Sequence, residues 1–201
     1  SVPGLNAERS LLLRERVPAY VWSMMFDAEA IRDLRFSTEL ASKEDLVFAV
    51  EATRRCQTMA TVAEVGCLYD VRSDSAVHDR SKKIRNVLSN LRAAGILLDS
   101  LTSADEISAG ELSRCHLSFL SRSLLAAGAG RMMTRSQFMT MCYSIRDSPD
   151  FQALRHEAGS GHWGSWLGAI LERGWASVIW CATGVLRPIY SLVEKRGYFR
   201  R

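Results

Sequence analysis

Apolar residues recur along much of the chain at the three- and four-residue spacing of amphipathic α-helices. Two segments show this most clearly, with stripes formed by Ile84, Val87, Leu88 and Leu91 and by Phe138, Met141, Cys142 and Ile145. Each stripe occupies positions i, i+3, i+4 and i+7, so each predicts a helix with one face toward a core. Another face of the first helix carries Lys82, Arg85, Ser89 and Arg92.

Start and stop signals divide the chain into about eleven or twelve helices. The predicted helices include residues 6–16, 18–26, 27–41, 42–56, 57–69, 79–95, 103–127 and 135–146, and one that starts after Ser148. Expected N-caps are Asn6, Asp27, Ser42, Thr134 and Ser148, and Pro18 and Pro149 fit the first turns that follow. Ser42 with Asp45 has the spacing of a capping box, and Gly110 is a candidate break in the longest helix.

The segment "VRSDSAVHD", residues 71–79, concentrates serine and aspartate and is the best linker candidate. We therefore expect an N-terminal helical bundle at residues 1–76 and a basic C-terminal helical domain at residues 77–201. The predicted fold class is all-α, with two packed helical bundles joined by a short linker.

Composition favours a reduced globular protein. The 201 residues are 47% hydrophobic and 24% charged, and the five cysteines are an odd number without a CxxC pair, so we expect free thiols. No secretory signal pattern opens the chain. The most apolar stretch, residues 174–186, is shorter than the roughly 20 residues of a membrane span. We predict a protein that is neither secreted nor transmembrane.

No pattern for catalysis or metal binding emerges from the sequence. The four histidines form no HExxH motif, and Cys115 and His116 are adjacent, so on a helix they point about 100° apart. The glycines at 128 and 130 lack the lysine of a phosphate-binding loop. Cys142 fits a core position better than a reactive thiol, although both interpretations remain open. The sequence therefore predicts no enzyme, no metal and no cofactor.

Charge is distributed unequally between the two halves. Residues 1–76 carry 9 Lys/Arg and 12 Asp/Glu, net −3, whereas residues 77–201 carry 17 and 10, net +7. The candidate cations for phosphate, RNA or lipid are Arg80, Lys82, Lys83, Arg85 and Arg92, and Lys195, Arg196, Arg200 and Arg201 near Tyr198 and Phe199. An ordinary solvated surface is the alternative for both groups. The candidate acidic side of an oligomer interface is Asp27, Glu29, Asp33, Glu44 and Asp45.

Three collinear stretches resemble the matrix proteins of orthomyxoviruses. They are "SLLLRERVPAYVWSMMFDAEAIRDL…ASKEDLVFAVEATRR", "CLYDVRSDSAVHDRSKKIRNVLSNLR" and "LLAAGAGRMMTRSQFMTMCYSIRDSPDF". In that family they correspond to the first helical bundle, the passage to a basic helix, and a methionine-rich helix of the second bundle. The resemblance covers residues 10–151, and the chain is shorter than the influenza members, which points to a distant branch such as the isaviruses.

The resemblance implies a viral structural protein that polymerises beneath the envelope. The expected partners are further copies of the chain, anionic membrane lipid, viral ribonucleoprotein or RNA, and other viral proteins. The expected location is the inner face of the virion envelope, and the cytoplasm and nucleus of the host cell. The family's cysteine–histidine motif is not reproduced, which agrees with the absence of a predicted metal site.

Two alternatives belong to other functional classes. An RNA-encapsidating nucleoprotein would also be helical and basic. A Bcl-2-like binding module is suggested by "HWGSWLGAILERGW" and "LRAAGILLD", but Gly95 and Trp163 lie farther apart than that family's usual order.

Overall fold

The computed structural model describes residues 2–3, 11–12, 20–56, 58–60, 83–101, 107–129, 133–159, 169–171, 173 and 176–184. Five helices are labelled in chain order: α1 (Glu44–Arg55), α2 (Lys83–Asp99), α3 (Ala109–Ala129), α4 (Arg135–Arg146) and α5 (Pro149–Ala158). A 3₁₀ turn covers Val21–Ser23, and residues 11–12, 169–171 and 176–184 are also helical. The fold is all-α, as predicted. Its only strands among the described residues, β1 (Val2–Pro3) and β2 (Thr58–Met59), form a short antiparallel pair.

Helices α2, α3 and α5 form the centre of the larger hydrophobic cluster. Val87 and Leu91 of α2 are buried there with Leu120 and Leu124 of α3 and Phe151 of α5. The stripe predicted for residues 79–95 is confirmed at Val87 and Leu91, and Leu88 packs against the cluster from a half-buried position. Nothing is described for the side chain of Ile84.

Helix α4 confirms the second predicted stripe. Phe138, Met141, Cys142 and Ile145 are all buried, with at most 1% of each residue exposed. Thr134 caps the helix through a reciprocal capping box with Gln137, in which each side chain bonds the other residue's backbone N–H. Helix α5 then begins at Pro149 with Ser148 as N-cap, as the sequence predicts.

Predicted boundaries are wrong at the starts of α1 and α3. Helix α1 begins at Glu44 after Lys43, which has φ 72°, so Ser42 is not its N-cap. Instead the Ser42 N–H donates to Ser89 Oγ at 3.0 Å, and Ser89 Oγ donates to the Ser42 carbonyl at 2.7 Å. Helix α3 begins at Ala109, and Gly110 lies within it without dividing it.

The two helices predicted for residues 18–26 and 27–41 are also wrong. The 3₁₀ turn is followed by extended backbone at Met24, and residues 28–33 form turns. Asp27 accepts the N–H of Glu29 at 2.9 Å, and the Arg35 guanidinium donates to the carbonyls of Arg32 and Leu34. These local bonds satisfy backbone groups that a helix would otherwise pair. The helix predicted for 57–69 is wrong at its start, where β2 lies, and its remainder from residue 61 is outside the described residues.

A second hydrophobic cluster joins the two predicted domains. It contains Leu11, Leu12 and Val50 from the first and Leu97 and Leu112 from the second. His116 Nε2, itself buried, lies 3.2 Å from the Leu12 carbonyl oxygen. The predicted linker is outside the described residues, so the two-bundle division stays a prediction. The described parts of both halves nevertheless share a core.

Helices α2 and α5 approach each other closely at Gly95. A Cβ built on Gly95 would lie 2.1 Å from Asp150 Oδ1 and 3.0 Å from Asp150 Cβ, well inside van der Waals contact. Arg92, one turn earlier on α2, holds the same carboxylate at 3.1 Å. Glycine is therefore required at position 95 for α5 to pack at this distance.

We predict that Gly95→Ala destabilises the protein. Alanine normally favours a helix over glycine by about 1 kcal/mol, but the clash with Asp150 should outweigh this and cost about 1–3 kcal/mol. Urea unfolding measures the change. The matched comparison is Gly95→Ala in an Asp150→Ala background, where the carboxylate is gone and the cost should be smaller. Equal costs in both backgrounds would contradict the assigned contact.

Candidate functional site

The start of α2, the second half of α3 and the start of α4 are the candidate site, because each carries an exposed arginine. Helices α2 and α3 run antiparallel, because Leu97 near the end of α2 shares one hydrophobic cluster with Leu112 near the start of α3, whereas Val87 near the start of α2 shares the other with Leu124 of α3. The start of α2 therefore lies beside the last turns of α3. A small cavity lies between α2, α3 and α5. Helix α4 begins six residues after α3 ends, which places it within about 20 Å of that point.

These three segments present exposed arginines. Arg85 lies near the start of α2, Arg122 in the second half of α3 and Arg135 at the first position of α4, and all three are exposed. None of them forms an ion pair with a residue that the structure describes. We name Arg85, Arg122 and Arg135 the basic end.

The basic end lacks nearby negative charge in its own helices. Residues 83–98 and 112–146 contain no aspartate or glutamate. The N-terminus of α4 adds partial positive charge through the helix dipole. The positive potential of this end is therefore not cancelled within the helices that form it, and it attracts anions.

The structure places the predicted cations in different surroundings. Arg85 belongs to the basic end, and Lys83 is the first residue of α2, although nothing is described for its side chain. The other predicted cations outside the described residues are Arg80, Lys82, Lys195, Arg196, Arg200 and Arg201. Sequence reasoning missed Arg122 and Arg135. The absence of acidic residues from 112 to 146 was the signal that could have revealed them.

Arg92 has an intramolecular role. Its guanidinium lies 2.9 Å from Glu39 Oε2 and 3.1 Å from Asp150 Oδ1, and these hydrogen bonds raise the pKa of Arg92. Two carboxylates thus compensate one cation, and Arg92 connects residues before α1 with α2 and α5. Its phosphate-binding role remains a prediction, with less support than that of Arg85.

The predicted acidic residues do not form one uncompensated patch. Glu29 pairs with Arg32, and Asp33 pairs with Arg55, whose hydrogen bond lowers the pKa of Asp33. Asp27 accepts the backbone N–H of Glu29 within the local turn. Four of the charges on this surface are therefore already paired within the molecule.

Glu44 and Asp45 lie at the start of α1 and are partly buried. Glu44 Oε2 is buried without a hydrogen-bond partner among the described residues. Asp45 accepts a hydrogen bond from the Val21 N–H, but burial and the neighbouring Glu44 carboxylate raise the pKa of Asp45. Burial thus disfavours the charged form of Asp45, and both acids are partly buried rather than on an open binding surface.

The cysteines give no sign of metal or redox chemistry in the part of the chain that the structure describes. Cys56, Cys115, Cys142 and Cys181 are free, and no group of three or more His, Cys, Asp or Glu side chains could hold a metal ion there. Burial raises the pKa of the Cys142 thiol to about 12. Cys142 is therefore protonated at neutral pH and serves as a core residue.

Comparisons with known proteins give no family assignment: no protein-family model matches the chain, and neither the curated proteins nor the solved structures include a significant match. Among the described helices, none combines the length and apolar character needed to cross a membrane.

We predict that Cys142 resists alkylation in the folded protein. At pH 8, with a pKa of about 12, only about one thiol in ten thousand is ionised, and the thiol is also buried. Iodoacetamide treatment followed by peptide mass spectrometry should label the exposed Cys181 first and Cys142 only after denaturation. Rapid labelling of Cys142 under native conditions would restore the reactive-thiol interpretation.

We also predict a pH-dependent effect of Asp45→Asn. Folding raises the pKa of Asp45, so the ionised carboxylate lowers the free energy of unfolding at neutral pH. This loss of stability disappears as the pH falls toward about 4, because the carboxyl becomes protonated. Asparagine keeps an acceptor for the Val21 N–H without the charge. The variant should be more stable than the wild type at pH 7, and the difference should shrink on acidification in urea unfolding. A difference independent of pH would contradict the assigned environment.

Proposed function

We propose that the protein is a viral matrix-type structural protein that lines a membrane and assembles there with further copies of itself. The observation that carries this proposal is the basic end, whose exposed arginines come from three helices and lie in two stretches, residues 83–98 and 112–146, that contain no carboxylate. Its ligand is the phosphate of anionic lipid headgroups. The collinear resemblance to orthomyxovirus matrix proteins supports the same assignment.

The shape of the basic end supports a broad anionic surface over a small ligand. Its arginines come from separate helices and are exposed, so they offer spaced cations that suit many phosphates at once. The cavity between α2, α3 and α5 has a volume of about 10 Å³, far below the 300–1,000 Å³ of typical small-molecule sites. A membrane surface satisfies such spacing, because lipid headgroups rearrange to meet the cations.

Viral RNA or ribonucleoprotein is the second proposed ligand of the same surface, since its phosphates carry the same charge. An RNA-encapsidating protein would bind RNA with an affinity that falls steeply with salt. A Bcl-2-like function would need an apolar groove for a peptide helix. The small central cavity does not favour that alternative.

We predict that Arg85→Gln, Arg122→Gln and Arg135→Gln together weaken binding to phosphatidylserine vesicles. Each cation near an anionic membrane contributes about 1 kcal/mol, so the triple variant should bind on the order of a hundredfold more weakly at low salt. Vesicle flotation across a salt series measures this. The same proteins titrated with single-stranded RNA compare the two sources of phosphate.

The matched control is Arg32→Gln, Arg146→Gln and Arg155→Gln, which removes the same charge from other parts of the surface. Arg146 lies at the opposite end of α4 from Arg135. If the control loses as much vesicle affinity as the basic-end variant, only net charge matters and the assigned surface is wrong. Wild-type binding that survives about 1 M salt on neutral vesicles would contradict an electrostatic membrane contact altogether.

A further inference from the structure

Two short stretches among residues 1–12 bind parts of the fold that lie far away in the sequence. Strand β1 (Val2–Pro3) pairs with β2 (Thr58–Met59). Leu11 and Leu12 are both 0% exposed, within the hydrophobic cluster that joins the two predicted domains. We name Val2–Pro3 and Leu11–Leu12 together the strap.

Three helices build the site that receives the two leucines of the strap. The cluster around them includes Val50 of α1, Leu97 of α2 and Leu112 of α3, none of which is more than 1% exposed. His116 Nε2 lies 3.2 Å from the Leu12 carbonyl oxygen. Because a carbonyl oxygen can only accept, the imidazole donates this hydrogen bond. Apolar burial and one buried hydrogen bond therefore define a site that fits this segment.

A short polar connection joins the strap to the remainder of the fold. Seven residues, "LRERVPA" at 13–19, lie between Leu12 and Tyr20 in the sequence. Eight residue steps of extended chain span at most about 28 Å. A connection of this reach can lead the strap to the site in its own molecule or to the same site in an adjacent molecule.

We propose that the strap of one copy of the chain occupies the strap site of another copy, an exchange of the domain-swapping type. The occupant is identified by the structure, because the site already holds this segment and another copy supplies the same segment. No new interface is required, since every contact of the exchanged strap already exists within the single chain. A lipid surface or a nucleic acid presents no peptide segment of this kind.

The sequence distance between the strap and its site makes exchange competitive while the chain folds. Leu12 and His116 are 104 positions apart. In the unfolded chain, random-coil scaling gives the ends of such a segment an effective concentration of about 3 mM. Another copy at about 0.3 mM should then capture the strap in roughly one folding event in ten. In the folded state the leucines are buried, so later exchange requires partial unfolding and is slow.

Exchange of the strap can close on itself or propagate. Two copies that trade straps form a closed dimer, whereas a copy that gives its strap to one neighbour and receives one from another extends an open chain. The oligomer interface predicted from the acidic residues lacks this property, because Glu29 and Asp33 are paired within their own molecule. This inference rests on the proposed function in taking self-assembly as the task of the chain, and it names the contact by which copies join.

A synthetic peptide of residues 1–14 tests whether the site accepts a strap in trans. In the full-length Leu11→Ala, Leu12→Ala variant, the resident strap has lost both leucine side chains. The peptide should therefore bind this variant and raise its urea midpoint as the peptide concentration increases. If the variant does not fold alone, the same peptide should restore its helical circular dichroism on refolding.

The matched control for the peptide is Val47→Ala. Val47 is buried in the same cluster but belongs to α1, so this variant keeps an intact resident strap and should not be rescued. Failure of the peptide to rescue the double variant, or equal rescue of Val47→Ala, would overturn the assigned site.

Refolding of the wild-type chain from urea, at about 3 μM and about 0.3 mM, tests exchange between copies. After dilution to one concentration, size-exclusion chromatography should show about a hundredfold larger fraction of dimers and longer oligomers from the concentrated sample. These oligomers should persist on dilution. Folded monomer concentrated without unfolding should stay monomeric, and the Leu11→Ala, Leu12→Ala variant should form no such oligomer.

Three results would rule out exchange: oligomers that dissociate at once on dilution, equal oligomerisation without prior unfolding, or equal oligomerisation of the double variant. Flotation of the separated monomer and oligomer on phosphatidylserine vesicles distinguishes this inference from the proposed function. An exchanged oligomer that forms but does not float leaves the inference standing and removes the membrane function. A monomer that floats while no oligomer forms removes the inference and leaves the membrane contact.

Discussion

The contact between Gly95 and Asp150 fixes the arrangement on which the rest of the described structure depends. Without a side chain at position 95, the Asp150 side chain from the first turn of α5 occupies the space that a Cβ would fill. Arg92 then bridges Asp150 and Glu39 and connects the segment before α1 to the same junction. Half-exposed ion pairs contribute little by themselves. The packing of Asp150 against Gly95 sets the distance between α2 and α5. Arg92 then orients the Asp150 and Glu39 carboxylates.

The same geometry separates two kinds of surface. Around α1, carboxylates and guanidiniums pair with each other and surround exposed rings. At the start of α2 and the end of α3, arginines lie in segments that contain no carboxylate. Salt weakens any contact that the exposed arginines make with an anion, because that contact is electrostatic, whereas it leaves the packing of apolar rings largely unchanged.

The sequence predicts best those elements whose signals are local. The start of α4 at Thr134 and that of α5 at Pro149 follow from capping residues, and the stripe of α4 follows from its spacing. The helices predicted for residues 18–41 are not formed. Side-chain hydrogen bonds to the backbone and packing on Phe48 outweigh the helix propensity of "DAEAIRDL". The basic end could be predicted only in part, through Arg85. Arg122 lies toward the end of the bundle that carries Arg85 only because α2 and α3 pack antiparallel, which no single-helix pattern reveals.

The contact between Leu12 and His116 has a consequence for the order in which the chain folds. These residues are 104 positions apart. Leu12 is also buried in a cluster that includes Ala93, Leu97 and Leu112, which all lie in the predicted C-terminal domain. During synthesis, the N-terminal residues therefore have to wait until α2 and the first half of α3 have left the ribosome before they can bury their leucines. Such distant pairings slow folding, because the entropy of closing a long loop is lost before the contacts form. For most of its synthesis the chain thus exposes an incomplete core, and this favours assistance by chaperones over independent folding of the first half.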